Sequence, residues 1–380
     1  MDFVLILIAL LLSAVFPAAL YFYLPILIVY SLLLRKSISL NRISKVYLYL
    51  CLLVLVFFGI HSVISGGIQL VFLKGLLRYF AYFSFALYAS TLSKSVISLL
   101  FKTTILFFIF TLPLAIYQIK TLGRYQNIFS HANHFSYVLM ICFYYVLKYK
   151  AFKPSIRPII MFILIISLIL ASSSGAILTV LILLLYHYFS KAKRNFFKFA
   201  FSFLVLVVVI LGISFTEKIS SQIESLQYLN LDFIYEKAKV YEPGGYGSLV
   251  WRLIYWMQIL QSFLANNAFV LFFGEGIDTL TKSNYLYSFM YTDPHNDYLK
   301  VLVEFGILGL TLLFALLAKI YFIFKKFDIL IMLMVPLFFA NIIVSWPFNI
   351  FILLYFIYEL DSTYDLENKF LSKQNRQYEE

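Results

Sequence analysis

Acidic residues are missing from more than half of the chain. Between Phe3 and Thr216 there is no Asp or Glu, yet eighteen of the thirty basic residues lie there. Charge of either sign is scarce throughout, at 13% of 380 residues, about half the share of an ordinary soluble domain. With 63% hydrophobic residues and a mean hydropathy of +0.91, a soluble fold would lack the polar cover its surface demands. Cysteine is nearly absent too. Cys51 and Cys142 both lie inside apolar runs, which excludes a disulfide framework and a thiolate metal site and leaves them as small apolar core residues. The apolar runs do not alternate with polar residues, so an outer-membrane barrel is excluded. No basic stretch precedes the first apolar run, so residues 1–34 read as membrane helix and not as a cleaved leader.

What is present is a series of continuous apolar runs, most about 18–25 residues long, the length an α-helix needs to cross a bilayer. The expected fold is an all-α polytopic membrane protein with about twelve spans, near 3–15, 17–34, 44–64, 67–90, 95–118, 135–148, 156–171, 175–190, 196–214, 298–323, 328–345 and 347–360. The first two are separated near Pro17 and are either two short helices or one kinked helix. This divides the chain into an N-terminal bundle of about nine helices (1–214), a polar loop (215–297), C-terminal helices (298–360) and a polar, mobile tail (361–380). Within the loop, 249–273 is amphipathic and rich in Trp and Tyr, which predicts a helix lying in the membrane interface.

The net charge of +12 does not mark a nucleic-acid protein, because of where the charge lies. Lys and Arg cluster in alternate connectors, as Arg35, Lys36, Arg42 and Lys45, then Lys148, Lys150, Lys153 and Arg157, then Lys191, Lys193, Arg194 and Lys198, then Lys325 and Lys326. The intervening connectors carry only Lys120 and Arg124. By the positive-inside rule the basic connectors and both termini face the cytoplasm, and the 215–297 loop is external. The expected location is the cytoplasmic (inner) membrane, with membrane lipid around the bundle.

Lys74 and Arg78 break the pattern. They lie four residues apart on one face of a span, at depths of roughly 10 and 16 Å if counted from Gly67 at 1.5 Å per residue. A cation so placed needs a countercharge, and no neighbouring span of the acid-free half supplies one. Backbone carbonyls, an acid from the loop, or an anionic ligand such as a lipid phosphate or pyrophosphate are the choices.

Where the loop enters the next span the chain reads Pro294-His295-Asn296-Asp297-Tyr298-Leu299, then Glu304-Phe305-Gly306 and Gly309. Upstream stand Arg252 and Trp256 in an Arg-x-x-x-Trp, Gly274-Glu275-Gly276, and a polar turn from Asn127 to His134. This order resembles the O-antigen polymerase and O-antigen ligase superfamily, with the sharp motifs confined to about 249–310. The resemblance implies a membrane glycosyltransferase of the GT-C-like class with an external loop. Its substrate would be an oligosaccharide on polyprenyl pyrophosphate, and a chain-length regulator protein would be a partner. One departure stands out. Family members often carry Ser-Arg-Gly where this chain has Ser173-Ser174-Gly175, so Lys74, Arg78 or Arg124 must supply the missing charge or the substrate is gripped differently.

Transfer of a glycan from a pyrophosphate leaving group needs a base at the acceptor hydroxyl and cations at the pyrophosphate. His295 has the right intrinsic pKa for the first, with Asp293 and Asp297 beside it to orient it. Arg252 is the second catalytic candidate, and Arg78, Lys74 and Arg124 are candidates for pyrophosphate. Asn296, Asn133 and Trp256 are candidates for glycan contact, with Tyr246, Trp251 and Tyr255 as further stacking surfaces. His131 and His134 read as interface residues, and Gly306 and Gly309 as turn and close-packing residues. The external segments hold no Asp-x-Asp and no cluster of His and carboxylates, so neither metal nor cofactor is expected. The leading reading is a polysaccharide polymerase of the Wzy type, with an O-antigen ligase as the alternative. A lipid-linked oligosaccharide flippase is the rival from another class, disfavoured because polar groups gather on one side in place of midplane helix breaks.

Overall fold

The computed structural model describes residues 1–34, 41–64, 67, 69–191, 230–240, 248–281 and 294–379. Among them every regular element is helical. The chain begins with α1 (Asp2–Val15), a single 3-10 turn (Pro17–Ala19) and α2 (Leu20–Leu34). The proline at the start of that turn lacks the N–H that a continuous helix would use, so the apolar run 3–34 folds as two helices. Next come α3 (Arg42–Ile64), α4 (Leu70–Ala89), α5 (Lys94–Phe110), α6 (Leu114–Leu122), α7 (Ala132–Tyr149), α8 (Arg157–Ala171) and α9 (Ser174–Lys191). The expected span 196–214 lies outside the described residues. The loop contributes α10 (Leu231–Val240), α11 (Ser248–Leu264) and α12 (Ala268–Phe273), and the chain ends with α13 (Asp297–Phe324), α14 (Phe327–Phe339) and α15 (Trp346–Glu379).

Two helices, α3 and α13, are each long and apolar enough to cross a membrane. The α4–α5 pair, bent by 117° at its break, makes a third if taken as one span. Several shorter apolar helices accompany them. The protein is therefore a helical membrane protein; among the described residues, length and composition support two or three crossings, and the expected total of about twelve is not confirmed.

The amphipathic stretch expected over 249–273 is broken. Asn267 caps a new helix, its side chain accepting from the Val270 N–H at 3.0 Å, and Asn266 turns its amide onto Glu275 at 3.0 Å. α11 buries Tyr255, Ile259 and Phe263 against Leu299 and Val303 of α13, so this face packs on protein. At the other end, α15 does not stop at Asp361. No Gly or Pro follows Pro347, and the helix runs on to Glu379.

α7 lies at the centre, buried almost without interruption from Phe135 to Val146, and packs on the buried first half of α15. One end of this core holds a charge cluster. Lys148 of α7 reaches Asp328 at 2.7 Å and Glu359 at 3.0 Å, Lys326 also pairs with Glu359, and the Tyr144 hydroxyl donates to Asp328 at 2.6 Å. The far end of α7, near His134, carries the candidate site.

Candidate active site around His295

The site begins with a break in α13. At Gly306 the backbone turns to φ 68°, ψ −170°, which uncouples the first turns from the rest of the helix. The freed carbonyls of Val303 and Glu304 accept from the N–H groups of Glu275 at 2.8 Å and Gly276 at 3.1 Å. The Gly-x-Gly and Glu-x-Gly motifs therefore dock on one another through their main chains. The end of α12 is tied down as well, its Phe273 carbonyl lying 3.0 Å from His61 Nε2.

Arg78 completes this docking. Its guanidinium donates to both carboxylate oxygens of Asp278, at 3.2 and 3.1 Å. Lys300 stands 3.7 Å from Asp278 and 3.7 Å from Glu304. Burial acts to raise the Asp278 pKa, but Arg78 and Lys300 hold the carboxyl below its ordinary range. The countercharge sought for Arg78 is thus an acid from the loop. Lys74, one turn away, is exposed, and its charge also reaches Asp278.

His295 sits at the head of α13 in a left-handed conformation, φ 52°, just ahead of the N-cap Asn296. The Asn296 side chain accepts from the Leu299 N–H at 3.1 Å, which commits its oxygen to the helix. Trp256 donates from Nε1 to the Pro294 carbonyl at 2.6 Å and packs its ring on Phe338. Trp256 therefore braces the turn that presents His295. Asp297 is fully buried and accepts from the N–H groups of Ile342 at 2.6 Å and Ile343 at 3.1 Å. That bond draws in the link between α14 and α15, whose Asn341 amide lies 3.1 Å from His295 Nδ1. Asp293 and Tyr246 lie outside the described residues. Tyr255 is buried in the core.

Across from this junction stand α7, the α8–α9 turn and α11. His134, just ahead of the span 135–148, lies close to His131 and His295. Burial first, then those two neighbours, pushes its imidazole down to about 4 and keeps it neutral. Asn133 is half-buried in the same helical turn. The Tyr137 ring covers Gly175, where an added Cβ would meet the hydroxyl at 2.3 Å, and Tyr137 neighbours Ser173, Arg252 and Asp297. Arg252, on α11, is mostly buried. Burial and the charge of Arg124 lower its pKa while Tyr137 opposes them, and its Nε has no hydrogen-bond partner among the described residues.

Arg124 is positioned by a satisfied polar turn. Asn127 takes a left-handed conformation (φ 55°) and donates to Thr111 and Tyr125, while Gln118 accepts from the N–H groups of Gln126 and Asn127. The Tyr125 N–H donates to the Leu170 carbonyl at 3.1 Å, which places Arg124 beside the end of α8 and the Ser173-Ser174-Gly175 turn.

The fold thus brings Arg252, Arg124, His295, Asn133 and Trp256 into one neighbourhood, and gathers Arg78 and Lys74 at a separate, acid-paired cluster. Sequence reasoning missed Asp278, Lys300, Tyr137 and Asn341 as partners. Lys300 and Glu304 carried a helical i,i+4 signal. Asn341 carried none, being 46 positions from His295.

No curated protein matches the chain. A family model described as O-antigen ligase matches residues 159–315, a stretch that holds the α8–α9 turn, Arg252, both glycine motifs and His295. Over residues 159–315 the chain is accordingly similar to the O-antigen ligase family, which supports its placement in the O-antigen polymerase and ligase superfamily.

Proposed function

We propose that the protein is a polysaccharide polymerase that moves a growing glycan from a polyprenyl-pyrophosphate carrier to a lipid-linked acceptor repeat unit at the outer face of the cytoplasmic membrane. The observation that carries this reading is the convergence of a histidine with two arginines lacking a carboxylate partner among the described residues. Arg252 and Arg124 bind the pyrophosphate, and they stabilise the charge that develops on it as the sugar leaves. His295 takes the proton of the acceptor hydroxyl. Arg124 stands in for the arginine that relatives often carry at the position of Ser174.

A carrier lipid also needs an apolar berth. A cavity of about 540 Å³ runs beside α13 between α3, α4 and α15, lined by Leu50, Tyr82, Val301, Phe305, Leu313 and Ile343. Its Ile343 end adjoins the link that carries Asn341, so a polyprenyl chain held there would present its pyrophosphate near His295. The alternation of Lys and Arg along the chain supports an external site with cytoplasmic termini.

The second reading is ligation of the glycan to a lipid A core, favoured by the description of the matching family as O-antigen ligase. The product in a deletion strain separates the two. Single repeat units on the acceptor mark a lost polymerase, and free lipid-linked polymer marks a lost ligase. Repeat units trapped inside the cell would mark a flippase and overturn both. His295→Ala should abolish long-chain glycan while leaving the protein inserted and abundant; a normal ladder of chain lengths would sink the assignment of His295.

A further inference from the structure

The Asn341 amide lies 3.1 Å from His295 Nδ1, and the backbone next to Asn341 is held from several sides. Asp297 accepts from the N–H groups of Ile342 and Ile343. The Tyr82 hydroxyl donates to the Ile343 carbonyl at 3.0 Å, and the Asn349 amide donates to the Ile342 carbonyl at 2.7 Å. The freedom left at this contact is rotation of the Asn341 side chain. Its Oδ1 is buried with no hydrogen-bond partner among the described residues. An acceptor left unpaired in this way calls for a reason.

The two ends of the amide make opposite demands on the ring. Nδ2 only donates, so with Nδ2 against Nδ1 the imidazole carries its proton on Nε2. Oδ1 only accepts, so after a half-turn Nδ1 carries the proton and Nε2 offers a lone pair. A base at Nε2 needs the second arrangement. So does the imidazolium it becomes, because both ring nitrogens then donate.

From this we infer that Asn341 is a positioning residue that sets the tautomer of His295, its amide turning from the Nδ2-inward to the Oδ1-inward arrangement to make Nε2 a base. This rests on His295 being the base proposed above. In the transfer step the acceptor oxygen bonds the anomeric carbon while its proton passes to Nε2. The bond from that carbon to the pyrophosphate oxygen breaks, and its electron pair leaves on the pyrophosphate. Nδ1–H stays on Asn341 Oδ1 throughout, and the Nε2 proton is afterwards released to water.

Other charged and titratable groups stand nearby: His134 of α7 beside both His295 and the N-cap His131, Asp297 two residues along its own helix, and Arg252 of α11 beside Tyr137, which also neighbours Asp297. Variants at position 341 leave all of these in place. The test uses full-length protein in lipid nanodiscs with its polyprenyl-pyrophosphate-linked glycan, and compares Asn341→Leu with Asn341→Asp. Asn341→Leu removes both ends of the amide and should lower kcat about 10²-fold with KM within about twofold. Asn341→Asp presents only acceptors. It should keep at least about a tenth of kcat and shift the acidic limb of the kcat–pH profile up by about one unit, because a carboxylate favours the imidazolium.

¹⁵N NMR of histidine-labelled protein gives an independent readout, with His295→Gln assigning the signal. The Nδ1–H tautomer should dominate in Asn341→Asp and lose that dominance in Asn341→Leu. Equal loss of kcat in both variants with the wild-type limb unmoved would reduce Asn341 to a structural role and overturn the inference. So would wild-type kcat in Asn341→Leu with an unchanged tautomer. If His295→Ala retained turnover, the assignment of the base would fall, while the NMR comparison would still decide whether Asn341 sets the tautomer.

Discussion

Gly274 and Gly306 meet backbone to backbone. A Cβ on Gly306 would lie 2.7 Å from the Gly274 nitrogen and 2.2 Å from the Phe272 carbonyl oxygen, while one on Gly274 would lie 2.4 Å from the Glu304 carbonyl. Both residues have positive φ, 86° and 68°. Gly306→Ala therefore adds backbone strain, on the order of 1–3 kcal/mol, to overpacking of about the same size. It should lower the melting temperature in detergent markedly, and Gly274→Ala should do the same. Gly59→Ala is the control. Its Cβ meets nothing within 4 Å in the middle of α3, so it should be neutral or stabilising by up to about 1 kcal/mol. Equal melting of Gly306→Ala and Gly59→Ala would refute the docking argument.

Arg78 and Asp278 form the side-chain half of the same docking. Removing one partner of a buried pair leaves the other charge stranded, at a cost of about 3–5 kcal/mol, whereas removing both costs less. Arg78→Gln should therefore destabilise strongly, and Arg78→Met with Asp278→Leu should recover part of the loss. Donor KM in the surviving Arg78→Gln protein should stay near wild type, since this arginine is engaged by the loop. A tenfold rise in KM would return Arg78 to the pyrophosphate. The pH dependence follows from the depressed Asp278 carboxyl. Its contribution is fully present above the ordinary value of 3.8 and is lost as pH falls through its lower folded value. Thermal melts across that window should show an acid-side loss that is absent from the double variant.

At the other end of α7, Lys148 joins two carboxylates that α14 and α15 bury at 4% and 0% exposure. Lys148→Met leaves Asp328 and Glu359 with Lys326 as the remaining lysine of the cluster and should cost about 3–5 kcal/mol. The exposed Lys153→Met, made at the same helix connection, should be silent within about 0.5 kcal/mol. Chemical denaturation in detergent micelles measures both. A silent Lys148→Met would mean that the cluster does not hold α7 to α14 and α15.

Helix positions were legible because hydropathy in a membrane chain reports burial in lipid directly. α3 was expected over 44–64 and runs Arg42–Ile64, and α13 was expected over 298–323 and runs Asp297–Phe324. Breaks were less legible. The Pro17 break could be anticipated because proline removes a donor. Asn267 split the 249–273 helix by capping the Val270 N–H, and the neighbouring Asn266 amide reaches Glu275, a contact that depends on where Glu275 folds. His295 and Arg252 stood out because their motifs resemble those of the O-antigen polymerase and ligase superfamily. Their partners Asn341 and Tyr137 did not, since each meets the site through packing between helices far apart in sequence. The acid-free first half pointed to a missing anion for Arg78. It could not say that Asp278, 200 positions away, supplies it.

The serine at position 174 offers the sharpest functional test. The family resemblance implies an arginine there, whereas this chain brings Arg124 beside the same turn, with the Tyr125 N–H bonded to Leu170, and the Arg124 charge reaches Arg252. If Arg124 replaces the turn arginine, Arg124→Gln should raise the KM for the lipid-linked donor by about tenfold, equivalent to about 1.4 kcal/mol of lost binding. It should also make donor binding less sensitive to salt, because fewer cation–phosphate contacts are left to screen. Adding Ser174→Arg to that variant returns a guanidinium to the same turn and should restore most of the donor affinity. Ser174→Arg in the wild-type background should gain little, since two arginines already face the phosphate. Steady-state kinetics of the four proteins closes the cycle. Additive effects of the two substitutions would mean that Arg124 and position 174 do not serve the same charge.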